Sequence, residues 1–587
     1  MGHLLTCCAQ SLGDTKMRLT RRDLIGAMSL PAAGALSGCG TMTGPSIGSL
    51  CPDRPPAEGP VGPLTIDTHV HMFNASDIQI RDYIAKVRSI DTPGLEHLAD
   101  VLAVLGDALA PSGQHEAAVL RDVGGRLAAA CGPGEAGRAL SSMAEAQHQR
   151  SIGAVKAASA RLRPRGLRST RAHQVADAIA ALPDRYATMT ARRRKRRLLT
   201  RSYGAGSDAE AAAEFVAHQL QYRFVNLIDF LDGYQARSGR RIDLALCHML
   251  DFDWPLSGGR PTPTSLEDQV DLMEQVAILT GGRVHGYAPF DPFRQVAFSL
   301  GMEPNNPLDR VVSAVTTRGC IGVKMYPPMG FAPYGNTFLD PKLWLGSSIP
   351  KALQRPDLGS LLDAALGQLY VWCAASGVPI MLHTSASNGP SVDFRTIPTD
   401  PSHWTSMPEP FSQNLRVSFG HFGDTDIGRI NTGRAEKYAA LMGKPGEPGA
   451  NYYADAAYFT HGLDNPSTVK DALGKLYGLT AQRGDAALAQ RLMYGSDWEM
   501  LLIEGGDTTG YLSNFVGIFR DLDKTRGLGA EGRLSERFFG LNAARYLGLH
   551  DKDTDSTRGR LDSFYVAKGV ARPAWQVKVD RSVGLSS

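Results

Sequence analysis

Eight short strand-like runs, separated mostly by helical patterns, constrain this 587-residue chain more than any other feature in it. The first lies in Leu64-Thr-Ile-Asp-Thr-His-Val-His-Met-Phe73, and seven more occupy 242–248, 284–289, 321–326, 379–383, 417–421, 452–457 and 492–495. Apolar residues at helical spacing fill 266–279, 358–376 and 467–477 between them. Strands that alternate with helices must run parallel, because a parallel pair needs a long crossover. Eight such units predict an α/β fold, a (β/α)8 TIM barrel. A doubly wound open sheet is the alternative, but it calls for a Gly-rich phosphate turn after its first strand, and none is present.

The first run carries polar side chains at every second position: Asp67, His69 and His71. Alternate residues of a strand face one side, rising about 3.3 Å each. Two imidazoles then stand side by side with a carboxyl one layer deeper. A sheet interior does not hold that much polarity without a partner, and a divalent metal is the obvious one. Further candidates end or follow later runs: Lys324, His383, His421 and Asp497. In a barrel, these positions share the carboxyl rim where chemistry is built. His248, His285 and His461 also lie near run ends, but no motif gives them a role, and packing or surface positions are expected.

Composition narrows the function classes. The chain is 43% hydrophobic and 21% charged, ordinary for a globular protein, and its net charge of +3 does not argue for nucleic acid. No window approaches the roughly 18 uninterrupted apolar residues of a membrane span. The eight Cys show no Cys-x-x-Cys pair and no disulfide framework. Free thiols at Cys247, Cys320 and Cys373 fall in or beside apolar elements, as small core residues do.

The flanks suggest an address. Residues 1–39 combine a basic start, a short apolar segment and two motifs. Thr20-Arg-Arg-Asp-Leu-Ile25 resembles a twin-arginine export signal, with Leu24 where Phe is usual, and Leu36-Ser-Gly-Cys39 resembles a bacterial lipobox. Translation begins at Met1 or at Met17. The expectation is an exported protein of the bacterial envelope, anchored to the membrane by lipid on Cys39. Residues 40–63, rich in Gly, Pro and Ser, read as a flexible tether. The barrel is assigned to 64–74 and 206–549, a basic helical insertion to 75–205, and a C-terminal tail to 550–587. From Arg121 to Arg201 the insertion holds 18 Lys/Arg against 5 Asp/Glu, including Ala191-Arg-Arg-Arg-Lys-Arg-Arg197. A solvated helical face explains the run most simply; contact with anionic lipid is the sharper alternative.

Asp67-Thr-His69-Val-His71, together with His383, His421 and Asp497, resembles the amidohydrolase superfamily. The nearer match is its amidohydrolase-related (type 2) branch of metal-dependent hydrolases and decarboxylases. Arg537-Phe-Phe-Gly-Leu-Asn-Ala-Ala-Arg-Tyr-Leu-Gly-Leu549 also looks like that branch's last helix. The resemblance covers 64–73 and 241–549. It implies a divalent metal, most simply Zn²⁺, on His69, His71, His383 and Asp497, with His421, Asp497 and Lys324 as catalytic groups. One ion is expected, or two if Lys324 is carbamylated. Superfamily deaminases carry Glu three residues after the His383 position; Ala386 stands there instead, which disfavours deamination.

The expected activity is hydrolysis, with metal-activated water attacking an ester, lactone or amide carbonyl of a small molecule. Non-oxidative decarboxylation on the same site is the alternative. A non-catalytic surface-binding lipoprotein is the third reading.

Overall fold

The structure is a computed structural model. It describes residues 62–88, 106–130, 135–161, 177–186, 208–233, 238–345, 349–387, 389–424, 433–504, 510–526 and 533–582, with isolated positions 103, 188, 189 and 427. The leader motifs, nearly all of the tether and the Arg192–Arg197 run lie outside the described residues.

Eight strands form one sheet: β1 (Ile66–His71), β2 (Leu244–His248), β3 (Val284–Pro289), β4 (Gly322–Met325), β5 (Ile380–His383), β6 (Val417–Gly420), β7 (Tyr452–Asp455) and β8 (Leu492–Met493). They follow chain order, each parallel to the next. Between β8 and β1 the ring is joined by Thr68 N–H to Tyr494 O at 3.1 Å, Asp497 N–H to His69 O at 2.7 Å, and a parallel bridge between Val70 and Trp498. The expected TIM barrel is the fold.

Every strand residue is buried, since side chains point either into the barrel or under the surrounding helices. Helices Leu266–Leu279 and Leu358–Ser376 are those expected from their apolar spacing. The second is long and apolar enough to cross a membrane by composition, yet here it is the β4–β5 crossover, with Leu362, Leu366, Leu369 and Cys373 buried. Close packing inside the ring needs Gly322 on β4. A Cβ there would lie 2.4 Å from Pro379 O and 2.7 Å from the Tyr287 ring.

Residues 550–582 close the amino-terminal end of the ring. Helices Thr557–Lys568 and Ala574–Ser582 bury Phe564, Tyr565, Trp575 and Val579 against Leu244, Tyr287 and Ile321. His285, near the start of β3, belongs to this seam. Its Nδ1 is 2.7 Å from Gly319 O and its Nε2 is 2.6 Å from the Tyr565 hydroxyl.

Between β1 and β2 lie helices α1 (Gly113–Ala130), α2 (Glu135–Arg161), α3 (Asp208–Gln219) and α4 (Arg223–Gly233). At the first residue of α4, the buried Arg223 guanidinium donates to both oxygens of Asp77, at 2.7 and 2.6 Å, and to Glu116 on α1 at 2.8 Å. One cation thus ties the inserted helices to the segment that follows β1.

Candidate metal centre

At the carboxyl end of the ring, strand register sets the site. His71 is the direct neighbour of His248 across β1 and β2, and His383 pairs with Gly420, the residue before His421. His69 lies at the centre. Its ring centroid is 5.3 Å from His71, 4.6 Å from His248 and 4.7 Å from His421. Asp497 comes in from the segment after β8. Its Oδ1 is 3.3 Å from His69 Nε2 and 3.2 Å from His71 Nε2.

Two sets of ligand atoms lie within 4.8 Å of one another: His69, His71 and His248, and His69, His421 and Asp497. All five residues are buried. Yet His69 Nε2, His71 Nδ1 and Asp497 Oδ1 have no well-formed hydrogen bond. Buried polar atoms are rarely left so, and a shared cation would satisfy the His69 and Asp497 atoms together. Burial pushes His69, His248 and His383 well below the ordinary imidazole value, and it holds His421 down to about 4. Neutral imidazoles beside a carboxylate are the donor set that suits Zn²⁺.

The remaining expected residues sit around this cluster. His383 Nδ1 is 3.0 Å from His421 Nε2, and His383 Nε2 is 2.9 Å from Ser385 Oγ. His421 Nδ1 faces Ala457 O at 3.0 Å, so it must carry the proton. His421 Nε2 is then the acceptor, His383 Nδ1–H the donor, and Ser385 O–H donates to His383 Nε2. His383 thus reaches the centre through His421 and stands outside both ligand sets.

Lys324 ends in the same interior. Its Nζ lies 2.9 Å from Met381 Sδ and makes no ion pair among the described residues. Burial lowers its pKa to about 7, although Asp497 and Asp455 draw it up. Asp67 lies deeper, accepting from Ser496 N–H at 3.0 Å and from His69 N–H at 3.2 Å. Burial raises its carboxyl to about 7.

Local backbone strain coincides with the site. Asp497 and His421 adopt φ of +57° and +63°, where side chains other than Gly are rare. Gly495 lets β8 approach β1, since a Cβ there would sit 2.9 Å from His69 Cβ.

Two participants were not anticipated. His248, expected to pack or face solvent, is at the heart of the cluster. Asp455, the last residue of β7, places both carboxylate oxygens 3.3 Å from His69 Nδ1. His421 N–H and Ala457 N–H hold it at 2.9 and 3.2 Å. His248 ends its apolar run just as His383 does, and Asp455 is the one charged residue within the run 452–457, which was the available signal. His285 and His461 stand apart from the cluster; His461 makes an ion pair with Asp464 at 2.9 Å.

Residues 286–549 match the family model described as amidohydrolase. No curated protein matches the chain. Among solved structures, a probable 2-pyrone-4,6-dicarboxylic acid hydrolase of Acinetobacter baumannii is 15% identical, with 55% of this chain and 87% of that one covered, at a TM-score of 0.32. A TIM-barrel protein of Bordetella bronchiseptica is 15% identical over 62% and 92%, at 0.33. The 5-carboxyvanillate decarboxylase LigW of Sphingomonas paucimobilis is 13% identical over 68% and 96%, at 0.30. The amidohydrolase match contains Lys324, His383, His421, Asp455 and Asp497, and it runs through the helix Asn542–Leu547 that packs against β8 and β1.

Proposed function

We propose that this amidohydrolase barrel is a metal-dependent hydrolase of small molecules, acting on an ester, lactone or amide carbonyl. His69, His71 and Asp497 hold the cation. The fourth protein ligand is His248, which is already in reach, or His383, which is one hydrogen bond further away. The observation that carries this reading is the convergence of two imidazole nitrogens on one otherwise unsatisfied carboxylate oxygen, at 3.3 and 3.2 Å. A bound divalent cation, most simply zinc, supplies Lewis acidity that acidifies water and polarises a carbonyl.

The chain's own groups divide the remaining work. Asp497 accepts a proton at the mouth of the barrel. His421, its Nδ1–H committed to Ala457 O and its Nε2 accepting from His383, couples His383 to the centre and orients the reacting groups. Lys324 presents a buried amine whose nearest partner is a thioether, so a substrate carboxylate or a developing oxyanion is a better partner than any it now has. Carbamylation of the same amine would recruit a second ion.

A panel of lactones, esters, amides and carboxylic acids tests the reading, with His421→Ala as control. Turnover of a carbonyl substrate that is lost in His421→Ala supports hydrolysis. Release of CO₂ from an acid, lost in the same variant, assigns decarboxylation instead.

A further inference from the structure

Glu499 is the second residue after Asp497 and is 1% exposed. Its Oε1 accepts from Phe73 N–H at 3.1 Å, two residues beyond His71. Its Oε2 is in contact with Nε2 of His218, a buried residue of the inserted helix α3. A carboxylate at this depth is costly unless paired, and the pairing here joins three elements that are far apart in the chain.

Trp498, between Asp497 and Glu499, is gripped on the same two sides. His71 N–H donates to Trp498 O from β1. From the insertion, the His218 ring meets the Trp498 ring nearly perpendicularly at 5.3 Å, and Phe230 of α4 stacks on it at 4.7 Å. Asp497 itself is held in the left-handed region. A conformation of that kind persists only where the surroundings over-determine it. β1 and the inserted helices supply that restraint.

We propose that Glu499 and His218 are positioning residues: the inserted helix, through His218, locks Glu499, and Glu499 fixes Asp497 and the segment after His71 in the geometry that accepts a cation. The inference rests on the metal centre proposed above. It makes α3 and α4 part of that centre's construction, and it assigns neither residue contact with substrate.

The test uses full-length, metal-free protein titrated with Zn²⁺ alone against a competing chelator, with thermal melting of the same samples. His218→Ala and Glu499→Ala are expected to weaken zinc binding about tenfold or more, the usual scale for residues that orient ligands. His218→Gln and Glu499→Gln, which keep hydrogen-bonding groups in place, should lose less. Val155→Ala, in the buried face of α2, should lower the melting temperature without changing zinc affinity. If both His218 variants bind zinc as tightly as the parent, the proposal is overturned. It is also overturned if Val155→Ala weakens binding as much as His218→Ala at equal loss of melting temperature. If the parent itself takes up no divalent cation, the metal centre falls and this inference falls with it.

Discussion

His69 Nδ1 stands 3.3 Å from each oxygen of Asp455, a residue at the far side of the chain's order but at the next-to-last strand of the ring. The contact fixes which nitrogen of His69 bears hydrogen and leaves Nε2 turned toward Asp497. Two backbone N–H groups hold the carboxylate in place, and burial still raises its pKa to about 7. Carboxylates that orient a ligand imidazole set its basicity as well as its direction. Asp455→Asn is therefore expected to lower zinc affinity by about 10–100-fold while the chain stays folded. Chelator competition measures it; an unchanged affinity would leave Asp455 a packing residue.

The fourth ligand is decided by two variants. His248 belongs to a set of ligand atoms within 4.8 Å, whereas His383 is engaged by His421 and Ser385. His248→Ala is accordingly expected to weaken metal binding more than His383→Ala, and His383→Ala to lower turnover with the cation retained. Metal content and kcat measured on both variants give the answer, and the opposite ranking would place His383 in the coordination shell.

Acid stability reports on the other end of the barrel. His285 donates from Nδ1 to Gly319 O and accepts at Nε2 from Tyr565, and burial lowers its pKa from 6.5 to about 4. A depressed folded-state pKa means that the unfolded chain takes up the proton first. The contribution of this residue is therefore present above pH 6.5 and lost as pH falls through about 4. In full it is on the order of 3 kcal/mol. Buried carboxyls with raised pKa, such as Glu116 at about 7, act in the opposite sense over part of that range. The difference between parent and variant isolates the imidazole. Denaturant melts should show His285→Gln less stable than the parent at pH 7, with the gap closing toward pH 4; a gap independent of pH would contradict the assignment.

The leader makes a separate prediction. If Leu36-Ser-Gly-Cys39 is an acylation site, Cys39→Ser moves the protein from the membrane fraction to the soluble envelope fraction without changing its metal content. Unchanged fractionation would contradict lipid anchoring while leaving the barrel chemistry untouched.

How much of this was legible depended on how local each signal was. The eight strands and the rim positions His69, His71, Lys324, His383, His421 and Asp497 could be read because each site residue ends or follows an apolar run. His248 ends such a run and Asp455 lies within one, but without a neighbouring motif a single polar residue there reads as packing. β8 is only two residues long, because Gly495 must bring the backbone against His69 and the chain then turns through Ser496 to the strained Asp497. That contact depends on β1, which is more than 400 positions earlier in the sequence. Pairing of His218 with Glu499 is hidden for the same reason. The role of the tail is not legible in its sequence because its apolar residues, among them Trp575 and Val579, match the floor of the ring and no element near them in the chain.

Elemental analysis of the purified protein tests the central claim most directly. The account predicts about one divalent metal per chain, or two if Lys324 is carbamylated, and its loss in a His69→Ala, Asp497→Asn double variant that still folds. A parent protein with no bound divalent metal, and none taken up when zinc is supplied, would contradict it.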